Sequence, residues 1–298
     1  MAKRADRPRA LFLGRTTLDA LYRLKRLPEE DTKVFAEGFQ AEPGGPATNA
    51  ARTHRRLGGE SLLISAVGKG IWADAARSAF RRSGIRLLDL AAESEYETPL
   101  VTVLSAAEQG SRTCVNPPLA TTTLPTLRGE WRSAVPAEWG EAPTVALTDG
   151  FHLRETLSLL ATLREMGTAI CLDGGSWKPG TEQLAPLLRT AICSERFRIP
   201  ESGERGSQAE EVFAWFAERG VREVAISRGP RPILVCEEGR RYEIAIEAVP
   251  AAETLGAGDV LHGAFSFYRA RGESFESALR EAAQVATASC KSTGIDLR

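Results

Sequence analysis

The stretch Glu253–Phe265 reads ETLGAGDVLHGAF. Three small residues, Gly256, Ala257 and Gly258, run into Asp259, and an apolar helical pattern begins at once. The first N–H groups of a helix have no intrahelical acceptor, and the helix dipole favours negative charge beside them. Glycine at that place lets a phosphate approach the backbone with no Cβ in the way. Gly256–Gly258 therefore read as an anion hole, with Asp259 beside the bound anion. A carboxylate is repelled by a phosphoryl group, so its presence there calls for a chemical role. Accepting the proton of an attacking hydroxyl is such a role. The same residues also read as a glycine-rich turn with Asp259 as a simple N-cap.

On the N-terminal side of this motif the chain alternates. RALFLG (ending at Gly14), Ser61–Gly68, Thr144–Asp149, Thr168–Asp173, Thr190–Ser194 and Glu223–Ser227 are short apolar runs closed by a small or polar residue. Such runs suit strands buried on both faces. Helical patterns lie between them. Leu153, Leu157, Leu160 and Leu163 recur at helical spacing and stop at Gly167, and SQAE at Ser207–Glu210 reads as a capping box ahead of Phe213 and Phe216. The expected fold class is α/β, a mostly parallel sheet with helices on both faces. Two segments with polar alternation, at about 32–42 and 98–118, are expected to form a small β-sheet lid embedded in one domain spanning 1–298. The second carries a hairpin turn at Glu108–Gly110.

Thirty-eight basic residues against 39 acidic ones leave a net charge of −1, which argues against nucleic acid or an anionic membrane as partner. Five dispersed cysteines with no CxxC pair, and three scattered histidines, argue against a disulfide framework or a zinc site. The N-terminal apolar run ALFLG is too short for a signal segment or a span, so a cytoplasmic location is expected.

A second glycine motif lies far upstream. PGGPATNAARTHRRLGG begins with Gly44 and Gly45 and runs into a helical pattern that carries Asn49. Asp19 follows the first strand, where ligands of open α/β sheets bind. Together Asp19 and Asn49 can satisfy several hydroxyls, as a polyol requires. Separately they read as a loop residue and an exposed helix position. Two familiar nucleotide signatures are missing. The one Gly-Lys pair, Gly68–Lys69, has Leu63 where a P-loop needs glycine, and the first strand leads into RTTLD rather than GxGxxG.

ETLGAGDVLHGAF resembles the C-terminal signature of the ribokinase-like (PfkB) carbohydrate kinases, DTxGAGD, and GGPATNAARTHRRLG is similar to the family's N-terminal GG…N…LG signature. The order of the motifs matches, and the resemblance covers essentially the whole chain. It implies a three-layer α/β/α kinase that moves the γ-phosphoryl of ATP, with Mg2+ and room for a monovalent cation, onto a hydroxymethyl group of a sugar or sugar derivative. By position, Asp259 would be the base and Gly256, Ala257 and Gly258 the anion hole. Asp19, Gly44, Gly45 and Asn49 would hold substrate, while Ser227, Gly229, Thr254, Gly256 and Gly258 would contact the nucleotide. The lid would close over the sugar and could join two copies into a homodimer.

Several positions depart from the pattern. Glu253 replaces the signature's first Asp. The metal-organising NxxE falls at CSERF, with Ser194 and Phe197 at its two key positions and Glu195 as the nearby carboxylate. The first motif lacks the GGKGANQ wording of ribokinases proper. RLPEEDTK and GSRTCVN stand closer to ketohexokinase-like and sulfofructose kinase-like members. On those lid segments Lys33, Arg112 and Asn116 are candidates to face an anionic substrate, or else are solvated edge residues. A nucleoside kinase of the same family is the alternative, with Phe35, Phe39 or Trp72 to stack a base. A catalytically idle sugar-binding protein is the third reading.

Overall fold

The computed structural model describes residues 7–108, 110–118, 122–127, 132, 135, 139, 142–200, 202, 208–247, 249 and 254–291. Its strands are β1 (Arg9–Leu13), β2 (Thr17–Leu24), β3 (Gly38–Gly44), β4 (Glu60–Ser65), β5 (Arg86–Asp89), β6 (Leu100–Ala106), β7 (Ser111–Val115), β8 (Val145–Thr148), β9 (Ala169–Gly174), β10 (Thr190–Ser194), β11 (Glu223–Arg228), β12 (Arg231–Glu237) and β13 (Arg240–Ile244). Its helices are α1 (Pro46–Arg56), α2 (Ile71–Ser83), α3 (Leu153–Glu165), the short α4 (Thr181–Leu184), α5 (Ala209–Glu218), α6 (Ala257–Ala270) and α7 (Phe275–Ser289).

The large sheet has the order β13-β12-β11-β10-β9-β8-β1-β4-β5. Pairing is parallel from β11 to β5 and antiparallel at β11–β12 and β12–β13. Strand β1 shows why its sequence is an unbroken apolar run. Ala10 and Phe12 enter one core and Leu11 and Leu13 the other, all fully buried. One core is completed by α3 and α5 and the other by α1, α2, α6 and α7. The chain leaves β1 towards β4 and β5, then returns to β1's other side with β8. That reversal opens a crevice beyond the carboxyl ends of β1 and β8.

A separate four-stranded sheet, order β3-β2-β6-β7, has β2 and β6 parallel at its centre and antiparallel strands at both edges. Its small core of Leu21, Val101 and Val103 packs against Leu255, just ahead of α6. The sequence reading needs three corrections in this region. The N-terminal lid strand is Gly38–Gly44, and residues 32–37 lie outside any strand. Asp19 follows β1 as expected, but it is no loop residue, because it sits within β2, one of the two central strands of the small sheet. The capping box opening α5 is Gln208 with Glu211, one residue beyond the expected position; Ser207 itself lies outside the described residues. Hairpin β6–β7 pairs as expected, with Gln109 of its turn also outside the described residues.

Candidate active site

Helix α6 begins at Gly256, whose φ of 73° is a left-handed conformation that glycine adopts without strain. A Cβ on Gly258 would meet nothing within 4 Å, so this end of the helix is open to a ligand. One turn further along, Gly263 has the opposite role. A Cβ there would collide with the Ala50 carbonyl and Thr53, so glycine is what lets α6 lie directly on α1. That close approach brings Asn49 to Asp259, and Asn49 Nδ2 donates to Asp259 Oδ2 at 2.7 Å.

Asp259 opens on a cavity of about 350 Å3 at the carboxyl ends of β1, β8 and β9, roofed by the small sheet. Asp19, Gly45, Asn49, Gly256 and Asp259 line it together, as does Asn116. Asp259 as a residue keeps some surface on the cavity, yet its carboxyl group is enclosed by protein. Burial, then repulsion from Asp173, raises its pKa to about 7, against the Asn49 hydrogen bond and the attraction of His262, which lower it. A carboxylate poised near neutrality suits a general base.

Sequence reasoning missed the two carboxylates behind it. Asp149, at the end of β8, accepts hydrogen bonds from the backbone N–H groups of Arg15 (2.9 Å), Ala47 (3.1 Å) and Phe151 (2.9 Å). Burial still lifts its pKa to about 7. It clamps the β1 turn to the start of α1. Asp173 closes β9, and its Oδ2 lies 3.5 Å from His262 Nδ1. His262 itself lies between two carbonyl oxygens, Gly258 O at 2.7 Å from Nδ1 and Ile192 O at 3.1 Å from Nε2. Both carbonyls can only accept, so whichever ring nitrogen carries a proton donates to one of them. The signal for these two aspartates was present in the sequence, where both close an apolar strand run.

Asp19 accepts from Thr17 Oγ1 at 2.6 Å, and burial raises its pKa against that bond and the nearby Arg15 and Arg52. Gly44 pairs with Thr17 across β2–β3, and a Cβ on it would fall inside the Asp19 carboxylate. Asn116 Oδ1 accepts from the Arg15 guanidinium at 3.2 Å.

Other expected residues are not at the cavity. Lys33 is exposed, outside any strand and absent from the lining. Arg112 is exposed on β7 and reaches Thr254 Oγ1 at 3.4 Å, so it ties the small sheet to the segment before α6 rather than facing the cavity. Phe35, Phe39 and Trp72 are exposed and do not line it. Ser227 lies one residue before the end of β11 with its hydroxyl on the Cys193 carbonyl at 3.3 Å, and Gly229 is in the turn to β12 with open space around it. Glu195 is exposed and engaged by Arg231, away from the cavity. Phe197, at the position of the expected metal-organising glutamate, is 1% exposed and stacked in the core with Trp177 and Phe216. Among the described residues no group of three or more His, Cys, Asp or Glu is gathered to hold a metal ion. Glu253 lies outside the described residues.

The pfkB family carbohydrate kinase model matches residues 8–297. The chain belongs to this kinase family. Ketohexokinase from Mus musculus is 24% identical over 96% of this chain and 97% of its own length. Among solved structures, a protein from Agrobacterium tumefaciens provisionally described as a ribokinase superposes with a TM-score of 0.81 at 22% identity, covering 97% of this chain and 92% of its own. The Arabidopsis thaliana ribokinase complexed with ribose and ATP gives 0.73 at 18% identity over 97% and 94% of the two chains. These neighbours share the ribokinase-like fold, a large mostly parallel sheet with a smaller sheet beside it. No helix among the described residues is long and apolar enough to cross a membrane.

Proposed function

We propose that this pfkB-family kinase transfers the γ-phosphoryl of ATP to a hydroxymethyl group of a sugar or sugar derivative. The observation that carries the reading is Asp259. It stands at the open N-terminus of α6 and faces the cavity, held by Asn49 with a pKa near 7. Asp19 and Asn49 would orient the acceptor, with Gly45 in the cavity wall and Gly44 leaving room for the Asp19 carboxylate. Asp259 removes the hydroxyl proton as the oxygen attacks the γ-phosphorus. The bond from that phosphorus to the β,γ-bridging oxygen breaks, and ADP leaves. Amides at Gly256–Gly258 would receive the negative charge of the phosphoryl group.

The donor cradle fits an ATP phosphate, because Gly258 is open and the helix end is anion-seeking. A protein-built Mg2+ site does not fit the side chains present, given Phe197 in the core and Glu195 turned to Arg231. Mg2+ in nucleotide sites commonly keeps its waters and binds substrate phosphates, so such a cage is not required. Ser227, Gly229 and Thr254 are proposed nucleotide contacts. The chain is proposed to act in the cytoplasm as one domain. Tyr22 and Phe39, stacked at 4.9 Å on the outer small sheet, offer an apolar face to a second copy.

The test is ADP release with ATP and Mg2+ across ketoses, aldoses, their anionic derivatives and nucleosides. Turnover with a sugar, reduced by about 10²- to 10⁴-fold in Asp259→Asn while sugar binding persists, is the expected result. No ADP with any acceptor, while sugars still raise the melting temperature, would overturn it in favour of an idle sugar-binding protein.

A further inference from the structure

Two cations converge on the cavity that the sequence did not single out. Arg15 follows β1, and Lys178 follows β9. Both stand over the same ring: the Arg15 guanidinium carbon is 5.4 Å from the Phe151 centroid and Lys178 Nζ is 4.6 Å from it. Both line the cavity with Asp19 and Asp259. Among the described residues neither has a carboxylate within ion-pair distance. Lys178 Nζ donates to the Ser176 carbonyl at 3.2 Å and to its hydroxyl, and Arg15 donates to Asn116 at 3.2 Å.

The nearest buried carboxylate is spoken for. Both oxygens of Asp149 are taken by backbone N–H groups, and its raised pKa leaves it only partly ionised near neutrality. Burial lowers the Lys178 pKa; the carboxylates Asp149 and Asp173 oppose that shift and the Arg15 charge adds to it. Two like charges held on one aromatic ring repel each other, and an anion between them would relieve that repulsion. Arg15 stands on the side where the acceptor is proposed to bind, and Lys178 meets it over Phe151. Arg15 is tied to Asn116, beside the small-sheet residues Thr17 and Asp19, whereas the open helix end stands at Gly256–Gly258.

We propose that Arg15 and Lys178, with Asn116 and Ser176, form an oxyanion subsite for a carboxylate, phosphate or sulfonate carried by the sugar acceptor itself. This rests on the kinase reading for its purpose, but the binding it describes does not need turnover. The subsite replaces Lys33 and Arg112, which do not reach the cavity. An acceptor anchored there by its charged end would present its hydroxyl away from the cations, towards Asp259.

The test is calorimetric binding without nucleotide, using fructose against fructose 1-phosphate and fructose 6-phosphate, and glucose against gluconate. At least one anionic probe should bind about tenfold or more tightly than its neutral parent, as expected for added charge-assisted hydrogen bonds. Arg15→Gln and Lys178→Gln, each first checked for an unchanged melting profile, should each remove that preference and leave the neutral sugar's affinity in place. Lys178→Arg should retain it. Equal affinity for every neutral and anionic pair would overturn the subsite, as would a preference that survives both Gln variants. So would variants that weaken a non-hydrolysable ATP analogue while sparing the anionic sugar, because the cations would then serve the donor. Anionic binding without ADP formation would sink the kinase reading and leave the subsite standing. Phosphorylation of neutral sugars alone would do the reverse.

Discussion

Asn49→Ala isolates the hydrogen bond on which the proposed base depends. The Asn49 amide donates to Asp259 Oδ2 at 2.7 Å and favours the ionised carboxylate, so it holds the Asp259 pKa down to about 7 against burial and the Asp173 charge. Its loss therefore moves the pKa up. A hydrogen bond to a charged group contributes about 1.5 to 3 kcal/mol, or about 1 to 2 pKa units. Only the ionised form accepts a proton, so the acid limb of kcat/KM should move from about 7 to about 8 or 9. At pH 7 the ionised fraction then falls from about one half to between about one tenth and one hundredth, a loss of about 5- to 50-fold that shrinks to about twofold or less at pH 9. The assay is kcat/KM against pH from 5.5 to 9.5 for both proteins, because that ratio reports the free enzyme. Asn49 is also a proposed acceptor contact, and losing that contact lowers the whole profile by one factor without moving its limb. A variant with an unmoved limb, depressed equally at every pH, would refute the reasoning.

Gly44→Ala places a methyl group inside the Asp19 carboxylate, so Asp19 must move from the cavity wall. The expected outcome is a kcat/KM loss of about 10²-fold, carried mainly by KM for the acceptor, with an intact fold by circular dichroism; unchanged acceptor kinetics would remove Asp19 from the site. Phe197→Glu restores the glutamate of the family's metal element, but places it between Trp177 and Phe216 in the core. It should cost about 4 kcal/mol or more by denaturant unfolding and should leave the Mg2+ dependence of any turnover where it was. Wild-type stability together with activity at lower Mg2+ would show that the side chain reaches the cavity.

The sequence by itself marked six parallel strands of the large sheet, β1, β4 and β8 to β11, but not β5 or the antiparallel β12 and β13. Runs such as Arg9–Leu13 and Thr190–Ser194 are apolar at every step because each is buried on both faces, and that pattern is local. It also determined the glycine turn at Gly256–Gly258 that opens α6, since a left-handed glycine opening a helix is a property of neighbouring residues. Tertiary structure decided which polar groups meet. β2 looked like a loop because it follows β1 after a short turn, and only pairing with β3 and β6 makes it the centre of the small sheet. Lys33 and Arg112 read as the cations to face an anionic substrate, yet both are exposed and neither lines the cavity, whereas Arg15 and Lys178 meet over Phe151 from strands separated in the sheet by β8. The pairing of Asn49 with Asp259 depends on α1 and α6 packing closely enough for Gly263 to touch the Ala50 backbone. Local propensity carries no information about such contacts, because the charge a carboxylate feels is set by side chains distant in the chain and by the burial that only packing supplies.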